Sequence, residues 1–248
     1  MKFTKDQFAS FIDVCDIISH LCSDIHIVDG KINQTNDSKI YMITTDVKEF
    51  VPEFDINNFK MLAANNKLKL MSMMSCDDGD VIITERSDYY DILGQTSSLS
   101  IRIPSDDMLT NNYDDTKTIT PDEDNKIIHV DILPSVIKLI KKATTQAISQ
   151  SIEVVFNVEN HKAEFYMIST NKNIMLKLMD IDYNSEIYPI TETMKTKINW
   201  DCFIGNPSKV AIDMYPDSVE NVLLFKLEMC IEKASTIKFY QKVRVSKV

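Results

Sequence analysis

"ILPSVIKLIKKATTQAISQSI", residues 132–152, holds three lysines and no Asp or Glu, in a chain whose formal net charge is −10. Val136, Ile137, Ile140, Ala143 and Ala147 recur at helical spacing and form one apolar face. At about 100° per residue, Lys138, Lys141, Lys142 and Thr145 centre on the opposite side. Pro134 suits the first turn of a helix, where its missing N–H is no loss.

The same opening occurs at the start of the chain. Thr4 is a good N-cap, and Gln7 three residues later completes a capping box. Phe8, Phe11, Ile12, Cys15 and Cys22 then share a face. After each helix come segments that read as strands: "DIHIVDGKINQT" and "KIYMITTDV" in the first half, "IEVVFNV", "AEFYMIST" and "IMLKLMDI" in the second. "VDGK" and "VENH" have the composition of hairpin turns. A second helix is expected in "FDINNFKMLAANN", capped by Asp55 and burying Ile56, Phe59 and Leu62. "KLKLMSM" and "VIITER" are then expected as strands around "CDDGD". In the second half, "INWDCFIGNPSK" leaves room for one short helix before Gly205 and Pro207, followed by "KVAIDMY", "NVLLFKLEMC" and "STIKFYQKVRV". The two halves repeat a pattern rather than a sequence.

Between them, "PSDDMLTNNYDDTKTITPDEDNK" (104–126) carries seven carboxylates and apolar residues without a period, and reads as an acidic linker. The expected organisation is an N-terminal domain over 1–103, the linker over 104–126 and a C-terminal domain over 127–248. The acidity is uneven. Residues 1–126 hold 12 basic and 23 acidic side chains, a balance of −11, and residues 127–248 hold 15 and 14, a balance of +1.

The chain has 248 residues, 44% hydrophobic and 26% charged, the composition of an ordinary globular protein of one or two domains. No apolar run approaches the ~18 residues of a membrane span. The charged N-terminus is unlike a signal peptide. Five irregularly spaced cysteines without a CxxC are expected to be reduced thiols. These features together predict a soluble cytoplasmic protein.

Catalytic and cofactor signatures are missing. The four glycines are scattered, so no phosphate-cradling loop can be built. Neither GxSxG nor HExxH occurs. His20, Cys22 and His26 lack a zinc spacing, and "DIDYNSE" lacks the glycine and the bidentate glutamate of a calcium loop. No cofactor, no metal and no enzymatic activity are expected.

The plain reading of Lys138, Lys141 and Lys142 is a solvated helix face. The alternative is a local contact with a polyanion. Solvated faces usually mix signs, and this one carries no carboxylate. Lys60 and Lys67 also stand in a stretch without acids between Asp55 and Asp77. Lysine contacts to phosphate give sequence-independent attraction. The three arginines, Arg86, Arg102 and Arg244, form no base-reading set.

At this point the sequence resembles the DNA sliding clamps, in particular the replication clamp of T-even-type tailed phages. "MKFTKDQFASFIDV", "TTDVKEFVPEFDINNFKMLAANN", "DDGDVIITERSDYY" and "IHVDILPSVIKLIKKATT" carry the resemblance. "LLFKLEMCIEKASTIKFYQKV" is similar to the closing hairpin of clamps more widely, including proliferating-cell nuclear antigen. The resemblance implies an α+β clamp fold, with two similar domains each placing helices on one side of antiparallel sheets. It implies a homotrimeric ring around double-stranded DNA that tethers a DNA polymerase and is opened by an ATP-dependent clamp loader. Transcription factors are further clients on this reading. Lys138, Lys141 and Lys142 match hole-lining positions, Lys60 and Lys67 match less closely, and Lys2 and Lys5 open the first lining helix. Asp6, Asp13 and Asp16 depart from that pattern, because they fall on the face that should meet DNA. A client-peptide pocket would involve Met108, Leu109, Tyr113 and Tyr240. Two other readings stay open: a clamp-like accessory factor held to DNA by charge as a monomer or dimer, and a β-rich interaction protein unrelated to DNA.

Overall fold

Thr4 caps the first helix as its neighbours require. Its backbone is extended (φ −67°, ψ 160°), its hydroxyl accepts from Gln7 N–H, and the Gln7 side chain accepts from Thr4 N–H at 2.9 Å. Two of the unpaired donors at the helix start are thereby satisfied. The computed structural model describes residues 1–248 except 76–77, 112, 115–118, 146–150, 170–174, 200–206 and 232–235. The chain is α+β and divides into two compact units. The first comprises Met1–Thr118, Gly205–Ser208 and Cys230–Lys238; the second comprises Ile119–Ile204, Lys209–Met229 and Phe239–Val248. The acidic stretch 104–126 is thus apportioned to both.

In the first unit the order is β1 (Lys2–Phe3), α1 (Lys5–Ser19), β2 (Ile25–Val28), β3 (Lys31–Thr35), β4 (Met42–Asp46), β5 (Asn58–Met61), α2 (Ala64–Met74), β6 (Val81–Glu85), β7 (Tyr89–Leu93) and β8 (Ser98–Arg102). Two antiparallel arrays result, β1-β6-β7-β8 and β4-β3-β2-β5. The β2–β3 hairpin turns through Asp29 (φ 50°) and Gly30 (φ 83°), both left-handed, as a tight two-residue turn demands. A side chain at Gly30 would also meet Lys48 Cγ at 2.7 Å. The core is aromatic: Phe11 lies against Phe3 (5.4 Å between ring centres) and Phe59 (5.8 Å), and Phe59 stacks on Tyr90 (4.7 Å).

The expected helix from Asp55 is corrected by the structure. Residues 58–61 are a strand, paired antiparallel to β2 in the register Ile27↔Phe59 and Ile25↔Met61. Phe59 and Met61 point inward by strand alternation, not helical period. The chain then turns at Ala63, held in the left-handed region (φ 50°, ψ 53°), and the helix starts at Ala64. "KLKLMSM", expected as a strand, lies inside that helix, which buries Ala64, Leu68, Met71 and Met74.

The second unit contains β9 (Ile128–Asp131), α3 (Pro134–Thr145), β10 (Ser151–Asn157), β11 (Lys162–Ile168), β12 (Met175–Asp182), β13 (Met194–Asn199), β14 (Lys209–Pro216), β15 (Val222–Cys230) and β16 (Thr236–Lys247). Residues 230 and 236–238 of the last two strands count with the first unit. The strands β12-β11-β10-β13-β16 run antiparallel in that order, and β14 pairs with both β9 and β15. β10 and β11 alternate buried and half-buried side chains along their full lengths, the mark of a sheet with one face on the core. The short helix expected in 198–209 overlaps residues outside the described set, and β13 occupies that stretch up to Asn199. Among the described residues, no helix is long and apolar enough to cross a membrane.

Candidate nucleic-acid interface

On α3, Ile137, Ile140 and Ala143 are buried, and Lys138 and Lys142 are exposed four residues apart. Lys141 is half-buried beside them. Neither Lys138 nor Lys142 has an ion-pair partner among the described residues. Like charges four apart on a helix repel by a few tenths, roughly 0.2–0.5 kcal/mol. Lys142 gains some compensation from the negative end of the helix, being in its last turn. Leu139 is exposed on the same helix, and Leu133 is exposed just before it. A surface of this kind attracts a polyanion without reading a base.

The lysines of the first unit are differently placed. Lys2 Nζ lies 2.7 Å from Asp80, whose hydrogen bond and charge raise the lysine pKa. Lys5 Nζ lies 3.1 Å from Asp78. Lys60 stands on β5 rather than on a helix; its side chain is only 11% exposed and its Nζ is 2.6 Å from Asp106. Lys67 is half-buried on α2, and burial pulls its pKa down against the opposing charge of Asp24. Each of these cations is therefore met by a carboxylate or partly withdrawn from water. The open face of α1 shows Asp6 and Asp13, with Asp16 half-buried; burial and then the charge of Asp16 raise the Asp13 pKa. The open face of α2 shows Asn66, Lys69, Leu70 and Met73. Lys69, exposed there, is a basic residue the alternating "KLKLM" pattern concealed.

The residues expected to receive clients divide between the units. Met108 is exposed and Leu109 buried, flanking the end of a single 3-10 turn over Asp106–Met108. Tyr113 lines an open cleft of about 550 Å³ with Thr35, Asn36, Asp37, Lys39, Thr110, Asn111 and Asp114. Its lining residues are mostly polar in type. Tyr113 also bridges to Gln34 in antiparallel fashion, so this part of the linker augments β3. It is held by groups no motif announces: Asp24 accepts from Thr110 N–H (2.7 Å) and Ala63 N–H (3.0 Å), and Tyr113 N–H donates to His26 Nδ1 (3.0 Å). Tyr240, in the second unit, is 7% exposed, and burial raises its phenol pKa.

Tyr240 also neighbours a charged cluster that sequence spacing does not reveal. Asp213 on β14 is buried, with His129 Nδ1 at 2.6 Å from one oxygen and Lys226 Nζ at 3.1 Å from the other. Lys126 reaches Asp213 (3.4 Å) and Glu123 (2.9 Å), and Tyr215 Oη lies 3.0 Å from Glu123. Burial alone would raise the Asp213 pKa; the His129 and Lys226 hydrogen bonds and the two ammonium charges hold it below the ordinary value. Burial alone would likewise lower the Lys226 pKa, and its carboxylate partners raise it. The cluster ties residues 123–126 to β14 and β15.

Two units of helices backed by antiparallel sheets, one helix bearing a carboxylate-free lysine face, define the class: the chain has the DNA sliding-clamp fold. It is similar to the PCNA2–PCNA3 complex of Sulfolobus tokodaii, with a TM-score of 0.61 and 11% identity over 98% of this chain and 99% of that one. It is also similar to the β clamp of Helicobacter pylori solved with a DNA ligase peptide (TM-score 0.57, 14% identity, 98% and 66% coverage). The DNA polymerase sliding clamp of Pseudomonas aeruginosa gives a TM-score of 0.56 at 10% identity, again over 98% and 66%. The chain spans about two thirds of the length of each bacterial clamp. No protein-family model and no curated protein matches the sequence.

Proposed function

We propose that this chain is a DNA sliding clamp of the T-even-phage type. It acts without catalysis: three copies close a ring around duplex DNA and tether a DNA polymerase. An ATP-dependent loader opens the ring, and transcription factors are further clients, in the cytoplasm of the cell where replication occurs. The observation that carries this reading is the open face of α3, where Lys138 and Lys142 are exposed on a helix whose own sequence holds no Asp or Glu, in a chain of −10. Few, local and unspecific phosphate contacts suit a protein retained by enclosure, since tight binding would oppose sliding. Lys138, Lys141 and Lys142 are the DNA-facing set, with Lys69 a candidate addition. Lys2, Lys5, Lys60 and Lys67 serve mainly their own carboxylates and core.

Ring closure is supported by strand edges that have no further partner strand among the described residues. β8 ends the array β1-β6-β7-β8, and β12 ends the array of the second unit and exposes Met175 and Leu176. An unpaired edge with exposed apolar side chains is a template for another strand. The cleft beside Tyr113 and the surface at Met108 and Leu109 in the first unit, and separately the neighbourhood of Tyr240 in the second, are the places proposed for client peptides, by analogy with the Helicobacter clamp solved with a DNA ligase peptide. Native mass spectrometry tests the assembly. A mass near three times 28.5 kDa supports the ring. A monomer or dimer at micromolar concentration would instead favour a charge-held accessory factor.

A further inference from the structure

Thr110, Asn111, Tyr113 and Asp114 form one wall of the cleft in the first unit. Asn111 Nδ2 donates to Thr35 O (2.8 Å), Asp114 N–H donates to Asn33 O (2.9 Å), and Asn33 Nδ2 donates to Asp114 O (2.7 Å). These bonds do not depend on a titrating group. The bond from Tyr113 N–H to His26 Nδ1 does.

A neutral imidazole has one donor nitrogen and one acceptor. Nδ1 receives the Tyr113 N–H, so the proton must sit on Nε2, which donates to Asn58 Oδ1 at 2.7 Å. Both ring nitrogens are therefore used, and His26 as a residue is 7% exposed. A second proton would have to go on Nδ1, where it would face another donor in a buried place. The hydrogen bond would be lost and a charge would be left desolvated. The charged groups around the ring do not remove this conflict. Lys60, opposite His26 in the β2–β5 register, opposes protonation; Asp106 favours it, but is bound to Lys60 at 2.6 Å. Asp24, on the same segment, is engaged with Thr110 and Ala63. From β3, Gln34 accepts the His26 backbone N–H; from the cleft wall, the Tyr113 ring centre lies 6.2 Å from that of His26.

We infer that His26 is a proton-operated latch on the cleft wall: neutral, it holds Tyr113 against β2 and β3; charged, it releases it. The inference goes beyond the clamp reading and does not rest on it, because it concerns the wall and not what the cleft takes. Burial pulls the His26 pKa below its ordinary value, with the Lys60 charge adding to that and the Asn58 bond opposing it. The unfolded chain then binds the proton more readily than the native one. The latch is complete above about pH 6.5, the unperturbed value, and is lost as pH falls through the lowered one.

Amide hydrogen exchange on the full chain, corrected for the intrinsic pH dependence, tests this between about pH 7.5 and pH 5. The expected result is a loss of Tyr113 protection of about tenfold or more on acidification, while Ile27 and Ile43 in the neighbouring strands keep theirs. His26→Phe, which keeps a ring but no acceptor, should show the released level at every pH. Should that variant not fold, the imidazole nitrogen shifts of the wild-type protein decide: they should report the neutral Nε2–H form at pH 7.5. Tyr113 protection unchanged down to pH 5, loss spread evenly over β2–β4, or an Nδ1–H tautomer would each overturn the inference.

Discussion

Removing the carboxylate of Asp213 would take the nearest partner from the buried Lys226 ammonium, leaving it the longer contacts to Glu228 (3.4 Å) and Glu123 (3.5 Å). Breaking a buried pair from one side costs about 3–5 kcal/mol. Asp213→Ala should therefore lower the urea midpoint steeply, and an Asp213→Ala, Lys226→Met double variant should recover part of the loss. The same carboxylate makes stability acid-sensitive. Its folded pKa lies below the unfolded value, so its contribution is full above about pH 4 and fades as pH falls through the depressed value. In the first unit, Asp24→Ala should cost about 3 kcal/mol, because it leaves two backbone donors, Thr110 and Ala63, without their acceptor. At this scale the sequence was partly legible. The lysines of α3 announced themselves by spacing, and the structure puts Lys138 and Lys142 on the open face with Lys141 half-buried beside them. His26, Asp24 and Asp213 did not, because each has a partner, Tyr113, Thr110 and His129 in turn, that lies 84 to 87 positions away in the chain.

Elements were legible where one period governed them. The capping box at Thr4 and the apolar spacing of Phe8, Phe11, Ile12 and Cys15 on α1 and of Ile137, Ile140 and Ala143 on α3 are local facts, and the folded chain repeats them; Cys22 is buried beyond the end of α1, and Ala147 lies outside the described residues. α2 was misread because Phe59 and Leu62 mimic a helical face, and "KLKLM" alternates like a strand. What decided the matter was the pairing of residues 58–61 with β2, a tertiary contact that overrode the local pattern. The junction between β5 and α2 carries strain of its own, with Ala63 in the left-handed region. Ala63→Gly should remove the Cβ clash and stabilise the first unit by up to about 1 kcal/mol, read as a rise in the denaturation midpoint. On α3, Ile140 is 1% exposed, and Ile140→Ala should cost about 2–5 kcal/mol through lost burial and the cavity left behind.

For the whole molecule, the repeat of helix and strands in each half was visible in the sequence, and the clamp fold was what the family resemblance implied. How the acidic stretch between the halves is fastened was not visible. Its composition resembles a free linker, yet Asp106, Thr110 and Asn111 are bound within the first unit and Glu123 and Lys126 within the second. Polar residues conceal such anchoring, because the same side chains serve water or a buried partner equally well. Replacing Lys138 and Lys142 together by alanine should leave thermal stability within about 0.5 kcal/mol, as surface changes do. It should nonetheless reduce the amount of protein loaded on DNA. The most direct test of enclosure is retention on loaded circular duplex DNA, followed while salt is raised and then after the circle is cut once. The account predicts slow loss from the closed circle at high salt and rapid loss on cutting. Equal, salt-driven loss from circle and linear DNA would contradict it.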